Sequence, residues 1–288
     1  MTTIKKVLIL YKQSSYQTYF SDQSNFPRDL KLNGSDVRRF KETHKRHFQT
    51  LQEVEEFLAA NKIHYQKIPR GGKADFAKYD LIMTVGGDGT FLEAAQQITH
   101  QPILGINSDP KWSVGKFCTA SSFNFGRVIN DILAGRFKVR TLQRLQVSIP
   151  TQKVKINILN DVLVCHKNPA AMSRYYLKIG KRKEEQKSSG VWVATAAGSS
   201  GAICSAGGKI LALNAKQFQY KPRELYGTPG KEYQLTGGSI YPPQVIKIIS
   251  LMREGVIFAD GSHVHFPFHF GEEAVFVLSP QKLSVLYT

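Results

Sequence analysis

Residues 85–95, Val-Gly-Gly-Asp-Gly-Thr-Phe-Leu-Glu-Ala-Ala, set three glycines and one carboxylate between an apolar run and a run of helix formers. Gly86, Gly87 and Gly89 carry no Cβ, so the backbone there can approach another molecule closely or take positive φ. A strand that ends in such a turn and opens a helix aims its first N–H groups at one point, which attracts anions. Asp88 is the only ionisable side chain of the turn. It suits a base or orienting group toward a hydroxyl; the plainer reading is a cap for the following helix. A structural turn accounts for one glycine, occasionally two. Three around an aspartate favour a bound phosphate. The pattern lacks the Lys-Ser/Thr of a P-loop and does not match Gly-x-Gly-x-x-Gly.

Two other stretches carry unusual residues. In Leu-Asn-Asp-Val-Leu-Val (159–164), Asn160 and Asp161 sit at the end of an aliphatic strand, where polar side chains point toward a ligand. Of the fifteen residues 194–208, thirteen are Gly, Ala, Ser or Thr. Such a run has too little side chain to fill a core, so it must lie against other backbone or against a ligand; both readings stay open. His263, His265 and His269 cluster in a strand-like segment. No carboxylate or cysteine completes a zinc set, so a surface strand is preferred.

The elements that would position these residues follow from hydrophobic pattern. Short aliphatic runs at 5–10, 63–69, 79–85 and 102–107 read as buried strands, alternating with helical patterns over 35–62 and 91–98. In the first helix, Ser35 or Asp36 is the cap, and Val37, Phe40, Phe48, Leu51, Val54 and Leu58 recur at helical spacing; Arg38, Arg39, Lys41, Lys45 and Arg46 read as a wet face. Residues 12–34 read as a long polar loop. After a helix near 123–137 the pattern turns to alternating strands, with the basic Lys181–Lys187 stretch as a solvated hairpin turn. The expected architecture is α/β plus all-β: a Rossmann-like N-terminal domain with a mainly parallel sheet over residues 1–120, and a β-sandwich-like domain over 121–269. Residues 270–288 are expected to return to the first domain.

Bulk composition bounds the class. The chain has 288 residues, 42% of them hydrophobic, and no apolar run long enough to span a membrane. Three scattered cysteines without a C-x-x-C pair argue against a disulfide framework and for a reducing compartment, the cytoplasm. Thirty-nine Lys and Arg against 22 acids, a net +17, suggest a polyanionic partner such as a phosphate-rich small molecule or nucleic acid.

The stretch Gly-Gly-Asp-Gly-Thr-Phe-Leu-Glu-Ala-Ala resembles the signature shared by NAD kinases and by diacylglycerol and sphingosine kinases. Three further stretches favour the dinucleotide kinases: Leu-Gly-Ile-Asn-Ser-Asp-Pro-Lys-Trp-Ser-Val-Gly-Lys-Phe-Cys (104–118), the Asn160–Asp161 pair, where the family has Asn-Glu, and residues 188–208. The order and spread of these motifs resemble an NAD kinase, and look closer to the divergent branch that includes the animal mitochondrial type. That resemblance implies phosphoryl transfer from ATP or polyphosphate to the 2′-hydroxyl of the adenosine ribose of NAD or NADH, with Mg²⁺ accompanying the donor, in a homodimer or homotetramer. It implies Asp88 as the catalytic group. Gly86, Gly87, Gly89, Thr90, Phe91 and Asn107 are implied at the phosphate site. Asn160, Asp161, Lys187, Ser189, Thr195, Ala197, Ser199, Ser200, Ala202 and Ser205 are implied along the dinucleotide, at an interface between domains or subunits.

This chain departs from the family at Ser189, where the family has aspartate, and at Ala196, Ala197 and Ala202, which replace a proline, a threonine and a tyrosine. Two alternatives stand beside the main reading. A lipid kinase shares the glycine turn, but its Gly-Thr-x-Asn-Asp segment is here Gly-Ile-Asn-Ser-Asp-Pro. A non-catalytic polyanion-binding protein would exploit the charge, but the chain has no recognisable nucleic-acid motif, and neither membrane nor nucleic acid is expected as a partner.

Overall fold

The computed structural model describes residues 4–20, 34–227, 230 and 232–288, and the chain divides into two compact units. One comprises Met1–Arg140 with Ser284–Thr288; the other is the continuous stretch Thr141–Leu283.

The first unit is built on a parallel sheet. Its strands are β1 (Lys6–Tyr11), β2 (His64–Pro69), β3 (Leu81–Gly86), β4 (Ile103–Asn107), the two-residue β5 (Ala120–Ser121), β6 (Lys138–Leu142) and the late strand β19 (Leu283–Tyr287). They lie in the order β2-β1-β3-β4-β19-β6, with β5 against β4. β1 runs parallel to both β2 and β3, and β4 to β3, β5 and β19. Both faces are covered, which is why β1, β3 and β4 read as unbroken aliphatic runs. Val7, Ile9, Leu81, Met83, Leu104 and Ile106 pack against α2 (Gly34–Ala60) and α4 (Phe125–Leu133) through Leu51, Val54, Leu58, Val128, Ile129 and Ile132. At ~1.5–3 kcal/mol for each fully buried large aliphatic, this stripe, more than helix propensity, holds α2 in place. On the opposite face, α3 (Asp88–Gln97) lays Phe91 over Gly105, where an added Cβ would lie 2.8 Å from the ring.

The second unit is a sandwich of two six-stranded sheets, in the orders β11-β10-β15-β18-β7-β8 and β14-β13-β12-β9-β16-β17. The first contains β7 (Leu145–Ile149), β8 (Val154–Ile158), β10 (Ser173–Ile179), β11 (Arg182–Ser188), β15 (Ile246–Ser250) and β18 (Glu273–Leu278). The second contains β9 (Asp161–His166), β12 (Val191–Thr195), β13 (Phe218–Pro222), β14 (Gly238–Ile240), β16 (Gly255–Ala259) and β17 (Val264–Phe268). Every pairing in both is antiparallel. One core joins the two inner faces, with Val147, Tyr175, Ile248 and Phe276 from one sheet and Val162, Val193, Phe218 and Phe268 from the other.

Three expectations need correction. The first unit extends to Arg140 rather than 120, because α4 packs against its sheet; only 284–288 return to it, since β18 belongs to the sandwich. The basic stretch at 181–187 is mostly strand: the turn is confined to Gly180 and Lys181, and β11 is an edge strand whose Arg182 and Lys183 are exposed while Glu184 accepts the Gln234 and Leu235 N–H groups. Within the supposed loop, Ser15–Phe20 forms the short helix α1, while 21–33 lie outside the described residues. Among the described residues no helix is long and apolar enough to cross a membrane, and no group of three His, Cys, Asp or Glu side chains is placed to hold a metal. Of the three histidines at 263–269, His269 Nδ1 lies 3.2 Å from the Arg253 carbonyl.

Candidate functional site

In the first unit the glycine turn sits at the carboxyl end of β3, in the middle of the parallel sheet, where open α/β sheets place their ligands. Gly87 is the residue that caps α3, and its carbonyl accepts the N–H groups of Thr90 and Phe91 at 3.0 and 3.3 Å. Asp88 is the first helical residue. The first N–H groups of a helix lack intrahelical acceptors, so those of Asp88 and Gly89 open onto the turn. The Asp88 carboxylate faces the 107–118 segment: its Oδ1 accepts the Phe117 N–H at 2.8 Å. That contact ties the carboxylate to a neighbouring loop, which argues against a simple helix-cap role.

Asn107 ends β4 directly beside Gly86, its partner in the sheet register. Its side chain is buried and organises the same loop, donating from Nδ2 to the Ser113 carbonyl at 2.9 Å and accepting the Asp109 N–H at 3.1 Å. Thr90 and Phe91 are buried within α3, and Phe91 stacks on Phe117 with 5.6 Å between ring centres. Two cations that sequence reasoning did not single out stand near the turn. Arg70, just past β2, has a guanidinium nitrogen 3.2 Å from where a Gly89 Cβ would be, and it pairs with Glu93 at 2.8 Å. Burial draws the Lys116 ammonium below its ordinary pKa while the Asp88 charge opposes that shift. Burial, helped by Asp88, pushes the Cys118 thiol up to about 12, so it is no nucleophile. The placement of Arg70 is a signal that a basic residue closing β2 could have given.

In the second unit the Asn160–Asp161 pair and the small-residue run meet. Asp260, in a left-handed conformation at φ 51°, clamps the strand end from behind: its carboxylate accepts the N–H groups of Leu159, Asn160 and Asp161 at 3.0, 2.7 and 3.3 Å. The sequence signal for this clamp was the Asp260-Gly261 turn closing β16. Asn160 Nδ2 then donates to Asp161 Oδ2 at 3.1 Å. The Asp161 carboxyl is 6% exposed, and burial raises its pKa to about 6. Gly198 packs so tightly on the Asn160 backbone that any Cβ would overlap its carbonyl, and Gly201 lies against the Asp161 and Asn160 side chains. At Gly198, then, the run is small because it lies on other backbone.

The remaining expected residues divide. Thr195 and Ser199 spend their hydroxyls inside the fold. Thr195 donates to the Leu159 carbonyl at 2.5 Å and accepts the Gly198 N–H at 3.1 Å; Ser199 donates to the Ala196 carbonyl and accepts the Leu211 N–H. Ala197 is buried beside them, and Ser200 is exposed. Ala202 and Ser205 lie on the four-residue helix α5 (Ala202–Ser205) and border a cleft of about 540 Å³ with Trp192, Ala206, Arg223 and Glu224. Lys187 and Ser189 stand apart from the Asn160–Asp161 pair, tied through their backbones to Tyr226 and Arg223.

A parallel sheet carrying a glycine-rich strand–turn–helix with one tethered carboxylate is joined in one chain to an antiparallel sandwich. Residues 24–137 match the family described as the ATP-NAD kinase N-terminal domain. A probable NADH kinase of Oryza sativa subsp. japonica is 30% identical over 249 residues, covering 78% of this chain and 77% of that protein. The NADH kinase of Arabidopsis thaliana is 28% identical, covering 93% and 91%. In fold, the chain is similar to an NAD kinase from Archaeoglobus fulgidus solved with ATP, at a TM-score of 0.69 and 21% identity over 97% of this chain and 92% of that one. The chain belongs to the NAD kinase family.

Proposed function

We propose that this kinase uses Asp88 to accept the proton of the adenosine ribose 2′-hydroxyl of NAD or NADH as that oxygen attacks the terminal phosphoryl group of ATP or polyphosphate. A new O–P bond forms, the old P–O bond breaks, and the donor leaves one phosphoryl shorter, giving NADP or NADPH. The observation that carries the reading is the Asp88 carboxylate held by the Phe117 N–H at the mouth of the glycine turn. Phosphoryl transfer demands chiefly positioning and charge stabilisation. Gly86, Gly87 and Gly89 leave room for phosphate oxygens at the α3 N-terminus, Arg70 adds positive charge beside Gly89, and Asn107 shapes the loop. In the second unit, Asn160 and Asp161 offer an amide and a carboxylate to ribose hydroxyls or adenine, and Trp192 with Arg223 offers a flat face and a cation where Ala202 stands in place of tyrosine. Thr195, Ala197 and Ser199 hold the backbone that carries this surface.

The residues fit a Mg²⁺ ion brought in on the donor phosphates. Asp88 is the one carboxylate at the turn, and Mg²⁺ is commonly held by one or two carboxylates plus phosphate oxygens. When bound, the ion neutralises phosphate charge. The same proposal includes a homo-oligomer in the cytoplasm, supported by the resemblance and by three cysteines that remain free thiols.

The test is a panel of NAD and NADH against ATP and polyphosphate with Mg²⁺, read as NADP(H) formed. The two plant relatives named as NADH kinases make the reduced dinucleotide an essential arm. Phosphorylation of diacylglycerol or a sphingoid base with no NADP(H) from any donor would overturn the reading.

A further inference from the structure

Behind the glycine turn lies a buried polar knot that the proposed chemistry does not use. Asp109 is 1% exposed, yet it sits in the loop that supplies the Phe117 N–H to Asp88. Its Oδ1 accepts from Arg46 Nε on α2 at 3.0 Å, and its own N–H donates to Asn107 Oδ1. Its carbonyl accepts the N–H groups of Trp112 and Ser113, so the loop is folded around this one residue. The neighbouring Ser108 is held from the other side. His47, fully buried on α2, spans the Ser108 hydroxyl at 2.9 Å and the Lys12 carbonyl at 2.8 Å. Because a carbonyl only accepts, His47 Nε2 carries the proton, and in the neutral ring Nδ1 accepts from Ser108. Ser108 also donates its N–H to the Gly86 carbonyl at 3.1 Å, which ties the knot directly to the catalytic turn.

We propose that Asp109 is a positioning residue for Asp88: clamped between Arg46 of α2 and Asn107 of β4, it fixes the 107–118 loop so that the Phe117 N–H holds the Asp88 carboxylate toward the reacting hydroxyl. This rests on Asp88 being the proton acceptor. Burying an acid here at all needs a reason, because an ion pair out of water seldom gains stability over an apolar pair. Orientation of a reacting carboxylate is such a reason, since a misplacement of about 1 Å costs ~10²-fold in rate.

A double-mutant cycle on the full-length enzyme tests it. Asp109→Ala should lower kcat by about 10- to 100-fold and change KM for the dinucleotide by less than ~3-fold. Asp109→Asn, which keeps an oxygen for Arg46, should lose less. In an Asp88→Asn background, Asp109→Ala should have almost no further effect on kcat, because the group it positions is gone. A drop of the same factor in both backgrounds would make Asp109 a general structural residue, and unchanged kcat on the wild-type background would likewise overturn the proposal. Should Asp109→Ala not fold, Arg46→Gln, whose side chain is partly exposed, carries the same cycle. Full activity of Asp88→Asn alone would sink both this proposal and the function above. Loss there with an unaffected Asp109→Ala would sink this one only.

Discussion

The two units each present one carboxylate on a backbone built of small residues, and they hold it in opposite ways. In the parallel-sheet unit, Asp88 stands partly exposed at a helix N-terminus, tethered by a neighbouring N–H. In the sandwich, Asp161 is pressed into the fold, 6% exposed, touching an amide, with its pKa raised to about 6. A carboxylate meant to take a proton from a substrate needs access and a fixed direction. One meant to grip hydroxyls can tolerate burial, because the ligand's own O–H donors then replace the lost water. The difference supports the proposal that the first does the chemistry and the second binds.

The largest expected effect breaks that assignment most directly. Asp88→Asn should lower kcat by about 10²–10⁴-fold, the usual worth of a general base, while leaving dinucleotide affinity and melting temperature nearly unchanged. If Asp88 were only a cap, the same variant would cost ~1 kcal/mol of stability and little activity. Measuring kcat, affinity and melting temperature on one preparation separates the two.

The next pair of effects sharpens the comparison through pH, because buried groups in the two units push stability in opposite directions. His47 is held down to about 4 from 6.5, first by burial and then by the Lys12 charge. The unfolded chain takes up that proton near 6.5 and the folded chain only near 4. The contribution is therefore complete above 6.5 and is lost as pH falls toward 4, by about 3 kcal/mol. His47→Gln keeps an N–H for Lys12 and an oxygen for Ser108, and should flatten the slope between pH 6.5 and 4 in urea unfolding. Asp161 behaves in reverse. Its folded pKa lies above the unfolded one, so its burial is costless below about 4 and weakens the fold by about 3 kcal/mol as pH rises through 6. Asp161→Asn should be more stable than wild type at pH 7 and no different at pH 4. It should also bind dinucleotide more weakly, and calorimetry near pH 6 in two buffers should show proton release on binding for wild type but not for the variant. Equal stability of the two proteins at pH 7 would refute the burial argument.

The smallest effect concerns Trp192. If its ring carries a base of the dinucleotide in the cleft opened by Ala202, Trp192→Ala should raise KM by about 5- to 100-fold, in line with ~1–3 kcal/mol for base–aromatic stacking, with kcat held within ~2-fold. Trp192→Phe should recover much of the loss. A wild-type KM in Trp192→Ala would place the base elsewhere.

Legibility in the sequence followed the physics of each element. Strands covered on both faces, such as Val7–Leu10 and Leu81–Val85, show as aliphatic runs and were readable; so was the glycine turn, because nothing cheaper explains three glycines around an aspartate. β11 was hidden. Its inward positions are the polar Gln186 and Ser188, hydrogen-bonded to the Leu235 carbonyl and the Tyr175 hydroxyl, so its pattern contains no hydrophobic alternation to detect. Arg46 passed for a wet helix face and His47 drew no reading, since only the tertiary partners Asp109 and Ser108 distinguish them from their solvated neighbours. Asp260 was missed for the same reason: its partners lie about a hundred positions earlier. Long-range polar pairing leaves no periodic trace.

The sandwich is inserted into the parallel-sheet unit, because β19 returns to β4 after the whole second unit has been laid down, with the Thr119 hydroxyl bonding the Leu286 carbonyl at 2.6 Å. On the ribosome this imposes an order. The sandwich is continuous and can fold as soon as it emerges, whereas the earlier-synthesised unit must wait with part of the β4 edge unpaired. At roughly 5–20 residues per second, that wait is on the order of ten seconds. An exposed, aliphatic strand edge is a template for intermolecular pairing. The nascent chain of this enzyme should therefore be prone to aggregate until β19 emerges. Translation that stalls before Leu283 should yield a folded sandwich attached to an aggregation-prone remainder.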